Sequence, residues 1–307
     1  MIGVIFTGGT IGSTLKNGYI GTDKEKSYRL ISMYEEKYGK ENFLTDKPCE
    51  ILSENITFKD YGVICDAVLK MMEKKVDGII LTHGSDTIQY TAALLSYIFN
   101  GTDIPILVVC SNYVLDDKNS NGPDNFRAAV RFIKESAGRG VFVPYTGRDK
   151  ITRIFYGNTL LMHHMYSDEL YALDDAYYGY FEDGEYKHSN IPNPSLIEGK
   201  YELPAVNEED SGIRMIYPYP GMKYPVPKNE KAFVHCTYHS GTICGVSKEL
   251  KRFALEAGEK NIPVYIVGKD GGMDYESCKI YSDCGFTILP HMTNISAYFY
   301  VFLTTRA

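Results

Sequence analysis

Two short stretches of the 307-residue chain combine hydroxyl side chains with glycine: Thr7-Gly8-Gly9-Thr10-Ile11-Gly12 and Thr82-His83-Gly84-Ser85-Asp86-Thr87. A hydroxyl that attacks an amide needs a group to take its proton, a hole for the oxyanion and a way to protonate the leaving ammonia. Thr10 and Ser85 supply hydroxyls, and Asp86 supplies a carboxylate for orientation or proton relay. Gly8, Gly9 and Gly84 let the backbone approach a ligand and adopt positive φ. The N–H groups at the helix starts that follow can then stabilise an oxyanion. Tyr19 sits in a stretch rich in Gly, Ser and Asn, residues 12–21, of the kind that closes over a site as a lid.

Blander readings stand beside this one. Residues 7–12 alone also suit a strand-to-helix turn without chemistry. A dinucleotide site is a poorer fit because the G-x-G-x-x-G spacing is missing, and no Gly-Lys-Ser/Thr follows to make a phosphate loop. His83, Ser85 and Asp86 are too close in sequence for a Ser-His-Asp triad and lack a Gly-x-Ser-x-Gly elbow, so His83 reads as a packed loop histidine. His163 and His164 point oppositely on an extended segment and read as structural rather than as a metal pair. The tyrosines of Tyr177-Tyr178-Gly179-Tyr180 read as packing or oligomer contacts.

The elements around these loops alternate. Gly3 to Phe6, Ile79 to Leu81, Ile104 to Cys110 and Gly140 to Val143 are short apolar runs expected as buried strands. Asp60 to Lys75 and Asp124 to Ser136 carry helical apolar faces between them. This pattern predicts an α/β protein whose larger N-terminal domain is an open, mostly parallel sheet with flanking helices. Thr10 follows the first strand and Ser85-Asp86 follow a later one, so both loops are expected at the carboxyl edge where such sheets bind ligands. From about Met165 to Pro227, Tyr, Asp, Asn, Gly and Pro dominate, which predicts a few irregular strands and then a linker. Alternation returns with Ala232 to Cys236 (strand), Ser247 to Ala257 (helix), Pro263 to Val267 (strand) and a closing helix at Met292 to Leu303, a smaller C-terminal α/β domain. The expected division is residues 1–190, a linker at 191–209, and 210–307.

A net charge of −7 argues against general nucleic-acid binding, which needs a basic face. No apolar stretch is long enough to span a bilayer, and the first apolar run lacks the basic flank of a signal peptide. Seven cysteines, an odd number without a Cys-x-x-Cys pair, are expected as buried free thiols in a reducing cytoplasm.

The two loops resemble the signature motifs of the bacterial-type L-asparaginases. The resemblance extends to Ser53-Glu54-Asn55-Ile56, similar to the family's substrate-binding segment, and to Asn121-Gly122-Pro123-Asp124-Asn125-Phe126. It extends also to Tyr238-His239-Ser240-Gly241-Thr242, similar to a segment that approaches a neighbouring subunit's site, although an ordinary strand-end turn explains it nearly as well. It implies hydrolysis of L-asparagine to L-aspartate and ammonia through an acyl-enzyme, no cofactor, no metal, and a homodimer or homotetramer. Carried over, Thr10 matches the nucleophile, Tyr19 the lid tyrosine that activates it, Ser85 a second active-site hydroxyl and Asp86 the acid beside it. Gly9 and Gly84 fall in the substrate-binding loops, and Ser53 and Glu54 match residues that hold the substrate's α-carboxylate and α-amino group. A carboxylate at Glu54 suits an ammonium group, though it could also be a surface acid.

Two departures are visible. Ser85 stands where the family usually has threonine, keeping the hydroxyl but losing the methyl that restricts its rotamer. The family's lysine, which follows a later strand and meets the acid, has two candidates in Gly147-Arg148-Asp149-Lys150-Ile151-Thr152-Arg153: one register gives Arg153, the other Lys150. Arginine stays charged and cannot shuttle a proton as lysine does. Other readings are a glutaminase or another small-amide amidohydrolase, and a binder of aspartate or asparagine without catalysis. Relatives in tRNA-dependent amidation carry an extra N-terminal domain, and a chain that opens on its first strand is expected not to share that role.

Overall fold

The apolar runs of the first half form the centre of an eight-stranded sheet in the computed structural model of the chain. The structure describes residues 1–9, 11, 13–16, 19–22, 28–165, 167–204, 210–269 and 275–305, with residues 13–16 and 19–22 described by their backbone alone. Two units separate by their internal contacts, Met1–Glu209 and Asp210–Ala307.

The first unit runs β1 (Ile2–Phe6), β2 (Ser13–Lys16), β3 (Tyr19–Thr22), α1 (Arg29–Tyr38), β4 (Phe43–Asp46), α2 (Phe58–Glu73), β5 (Gly78–Thr82) and α3 (Ile88–Ile98). It continues with β6 (Pro105–Val109), α4 (Gly122–Lys134), β7 (Gly140–Thr146), β8 (Thr152–Tyr156), β9 (Gly179–Glu182) and β10 (Glu185–His188). The sheet order is β10-β9-β8-β7-β6-β5-β1-β4. From β4 to β7 all neighbours are parallel, and from β7 to β10 they are antiparallel. β2 and β3 form a separate antiparallel hairpin.

The central strands are buried on both faces, which is why they read as unbroken apolar runs rather than alternating ones. Ile5 of β1 belongs to the core with Ile64 and Val68 of α2 and Leu95 of α3, whereas Val4 and Phe6 belong to the core with Leu30 of α1 and Phe126 of α4. Helix starts fall two residues earlier than the apolar pattern suggests. Thr57 caps α2 in a capping box with Asp60, and Pro123 sits in the first turn of α4.

β1 lies between β4 and β5, so the chain leaving β1 moves to one side and the chain leaving β5 moves to the other. The carboxyl ends of β1 and β5 therefore form the switch point of the sheet, where the connections diverge and leave a crevice. Both glycine-rich loops leave the sheet there.

The stretch expected to be irregular contains a regular hairpin. Asp183 and Gly184, at φ 50° and 80°, make a tight turn joining β9 to β10. Positive φ at both central residues is the conformation that Asp-Gly favours in a two-residue hairpin.

The second unit is a four-stranded parallel sheet, β11 (Ile213–Ile216), β12 (Ala232–Cys236), β13 (Val264–Val267) and β14 (Thr287–Ile288), in that order. Its helices are α5 (Lys248–Glu259), α6 (Lys279–Asp283) and α7 (Asn294–Thr304). Phe233, Leu250, Phe253, Ile266 and Tyr281 share its core. Tyr238–Thr242 is a hydrogen-bonded turn with Gly241 at φ 69°, and Tyr281 donates to the Gly241 carbonyl at 2.7 Å.

All seven cysteines are free thiols. Cys244 is exposed rather than buried, because it lies in the surface loop before α5. Among the described residues no helix is long and apolar enough to cross a membrane.

Candidate active site

In the parallel register Phe6 of β1 lies opposite Thr82 of β5. Thr7 then ties the two loops together: its N–H donates to Thr82 Oγ1 at 3.3 Å and its hydroxyl to the Thr82 carbonyl at 2.6 Å. A third segment joins through Ile51, which accepts from the Gly9 N–H at 3.0 Å and donates to the Thr7 carbonyl at 2.8 Å. That pairing brings Ser53 to the crevice.

Gly8 and Gly9 have φ 109° and 81°, and the space around Gly9 admits no side chain. A Cβ on Gly9 would lie 2.5 Å from Gly84 Cα, and one on Gly84 would lie 2.6 Å from Ser53 Cβ. Gly9, Gly84 and Ser53 thus touch, and the Thr87 hydroxyl closes the arrangement by donating to the Ser53 carbonyl at 2.9 Å. Ser53 is buried, Ser85 half-buried, and Glu54 and Asp86 are exposed. Thr10 lies outside the described residues. Tyr19 begins β3, and its side chain lies outside them too.

His83 holds the second loop from beneath. It is 2% exposed, its N–H donates to the Val109 carbonyl at 2.8 Å, its Nδ1 lies 2.8 Å from the Gly84 carbonyl, and its Nε2 lies 2.7 Å from Thr91 Oγ1. A carbonyl only accepts, so Nδ1 carries the proton and Nε2 accepts from the Thr91 hydroxyl, the neutral ring's donor–acceptor pattern. Burial pushes its pKa down to about 4 from 6.5. His235 of β12 repeats this arrangement with the Cys236 carbonyl at 2.6 Å and the Tyr224 hydroxyl at 2.8 Å, and burial lowers its pKa to about 4.

These two rings give the fold a pH dependence. Between pH 6.5 and about 4 the unfolded chain binds protons that the buried rings refuse, so the stabilisation is complete above pH 6.5 and is lost as pH falls through this window. Each histidine is expected to contribute roughly 3 kcal/mol over the whole window. Urea titrations at stepped pH should show the midpoint falling below pH 6.5, with a shallower fall in His83→Gln. A midpoint independent of pH over that range would contradict the buried neutral rings.

The Asn-Gly-Pro-Asp-Asn-Phe stretch is scaffold. Asn125 donates to the Cys110 carbonyl at 2.9 Å and accepts from the Thr146 N–H at 2.7 Å, and Asn121 donates to the Thr146 carbonyl at 3.1 Å. Together they join the carboxyl ends of β6 and β7.

Neither basic candidate for a partner of Asp86 meets it. Arg153 points along β8 to Asp149, with Nη2–Oδ2 at 2.8 Å and Nη1–Oδ1 at 3.2 Å. Lys150 sits exposed in the β7–β8 turn at φ 63°. Among the described residues Asp86 forms no ion pair. The groups that face the Ser85–Asp86 loop come instead from the chain beyond β8. His163 Nδ1 lies 3.4 Å from the Ser85 carbonyl, and Met162 Sδ accepts from Gln89 Nε2 at 3.7 Å and from the Tyr90 hydroxyl at 3.9 Å. His164 turns away and stacks on Tyr171 at 4.7 Å. No group of three or more His, Cys, Asp or Glu among the described residues is arranged to hold a metal. The tyrosines at 177–180 are packing residues: Tyr178 lies 4.8 Å from the Phe142 ring and donates to the Ala137 carbonyl at 3.0 Å.

The family model for the asparaginase N-terminal region matches residues 1–189. The chain belongs to the asparaginase family. Its fold is that of the thermostable L-asparaginase from Thermococcus kodakarensis, with a TM-score of 0.79, 22% identity, and coverage of 98% of this chain and 92% of that one. A probable cytoplasmic L-asparaginase from Campylobacter jejuni gives a TM-score of 0.78 at 19% identity, covering 99% of this chain and 96% of that one. Among curated family members, a glutamyl-tRNA(Gln) amidotransferase subunit of Methanococcus maripaludis strain C7 is 25% identical over 266 residues, covering 85% of this chain and 58% of that protein. The chain spans between 31% and 62% of the length of such amidotransferase relatives.

Proposed function

We propose that the chain hydrolyses L-asparagine to L-aspartate and ammonia through an acyl-enzyme on Thr10. The observation that carries this reading is the contact of Gly9, Gly84 and Ser53 at the sheet's switch point, which sets Thr10's immediate chain neighbour against the Ser85–Asp86 loop. In this reading Thr10 attacks the side-chain amide, Tyr19 takes its proton while passing its own hydroxyl proton to the relay, and water then hydrolyses the acyl-enzyme. Ser85 and Asp86 relay a proton to the leaving ammonia. Ser53 and Glu54 hold the α-carboxylate and α-ammonium, and Gly9 and Gly84 give the substrate room. The proposed relay does not draw on Lys150 or Arg153, which form no ion pair with Asp86 among the described residues. The protein works in the cytoplasm as a homodimer or homotetramer, which light scattering on the purified chain will decide.

Ammonia release from L-asparagine, coupled to a dehydrogenase, is the direct test. A second reading, hydrolysis of glutamine, is favoured by the amidotransferase proteins among the relatives. One methylene separates the two substrates, and a pocket fitted to asparagine is expected to favour it in kcat/KM by about tenfold or more. A ratio reversed in favour of glutamine replaces the first reading with the second. Stabilisation by L-aspartate with no amide turned over refutes both and leaves a binding protein.

A further inference from the structure

We propose that His163 is a positioning residue that sets the orientation of the Ser85–Asp86 peptide by holding the Ser85 carbonyl. The kinetic part of this proposal rests on the asparaginase reading above.

Three successive carbonyls of the loop are each met by a side-chain nitrogen. The Gly84 carbonyl accepts from His83 Nδ1 at 2.8 Å, the Ser85 carbonyl faces His163 Nδ1 at 3.4 Å, and the Asp86 carbonyl accepts from Gln89 Nε2 at 3.0 Å. A trans peptide is planar, with its C=O and the next N–H on opposite sides. Each held carbonyl therefore turns the amide of the next residue, Ser85, Asp86 or Thr87, away from the group that holds it. Among the described residues those three amides have no acceptor, and they stand just before the first turn of α3. They are the donors available to a developing negative charge.

The three holds are not equivalent. His83 and Gln89 belong to the loop and its helix, so they move with it. His163 reaches in from a segment 78 residues away. That segment is itself fixed. The Leu161 N–H donates to the Tyr171 carbonyl at 2.9 Å, and the Leu173 N–H to the Thr159 carbonyl at 2.8 Å. The ring has a firm wall in Tyr145 of β7, which is 1% exposed and meets it edge-on at 6.2 Å. Its Nε2 lies 3.1 Å from the Ser167 carbonyl. A neutral ring donates to one of its two carbonyls at a time, and an imidazolium donates to both. Without the ring nothing outside the loop holds the Ser85 carbonyl among the described residues, and the Ser85–Asp86 peptide loses its one hold from a separate segment.

Two variants separate this role from general packing. His163→Leu keeps bulk and removes the donor, and His163→Asn places Nδ2 where Nδ1 stood. With L-asparagine, His163→Leu is expected to lower kcat about tenfold or more, since removal of an oxyanion donor costs on the order of 10²-fold. KM should stay within about threefold, because the amide acts in the transition state, and His163→Asn should recover most of kcat. Wild-type kinetics in His163→Leu overturns the proposal. So does an equal loss in both variants that tracks a fall in unfolding midpoint. Backbone amide exchange of ligand-free protein supplies a readout without substrate: the Asp86 amide is expected to shift and exchange faster in His163→Leu and to return toward wild type in His163→Asn. An unchanged Asp86 amide in His163→Leu also overturns it. If the wild-type chain hydrolyses no amide, the function proposed above fails, and the Asp86 amide alone decides the role of His163.

Discussion

Replacing Thr10 with alanine is expected to reduce ammonia release from L-asparagine by about 10³-fold or more, the scale seen when a hydroxyl nucleophile is removed from a unit that acts together. The folded state should hardly notice. Among the described residues this loop is anchored by the Thr7 hydroxyl on the Thr82 carbonyl and the Gly9 N–H on the Ile51 carbonyl, bonds that do not involve the Thr10 side chain. The unfolding midpoint of Thr10→Ala should therefore stay within about 2 °C of wild type. Stabilisation by L-aspartate should persist, because the proposed product contacts run through Ser53 and Glu54. Loss of turnover with retained aspartate binding separates chemistry from binding. Full activity in Thr10→Ala would remove Thr10 from the nucleophile's role and direct attention to the Ser85 hydroxyl of the second loop.

How much of this was legible in the sequence depended on whether the responsible interaction was local. The apolar runs of β1 and β5 announce two-sided burial, and the glycines beside them announce close backbone approach; both are properties of consecutive residues. The boundaries of α2 and α4 were displaced by capping at Thr57 and by Pro123, signals that an apolar period ignores. The β9–β10 hairpin was also local, and its Asp183-Gly184 pair was readable as a two-residue turn. The partners of the Ser85–Asp86 loop were not legible in this way. A basic residue following a strand is a plausible partner for an acid at the sheet edge, yet Arg153 sits four residues from Asp149 and closes on it within the hairpin. His163 meets a backbone carbonyl rather than a side chain, and a carbonyl leaves no mark on residue type. Only the path of the chain between β8 and β9 brings that ring to the loop.

Gly9→Ala is the second substitution with a large expected effect, because it tests whether the two loops are in contact at all. Gly9 has φ 81°, where an L side chain is strained, and its added Cβ would lie 2.5 Å from the Cα of Gly84. The obstacle is backbone, so no rotamer change relieves it, and the loops must part. Gly39 separates the two costs: its φ is 88°, yet nothing lies within 4 Å of an added Cβ. Gly39→Ala is expected to cost about 1–3 kcal/mol, the conformational term alone. Gly9→Ala should cost roughly 2 kcal/mol beyond that, in the range that overpacking imposes. It should also reduce turnover far more than its stability loss explains, since the proposed mechanism needs the two loops in contact and Gly9 and Gly84 are where they meet. Urea midpoints for the two variants, measured with kcat for each, make the comparison. Equal midpoints and equal activities would mean that the chain tolerates a side chain between Gly9 and Gly84, and the crevice at the switch point would lose the contact that defines it.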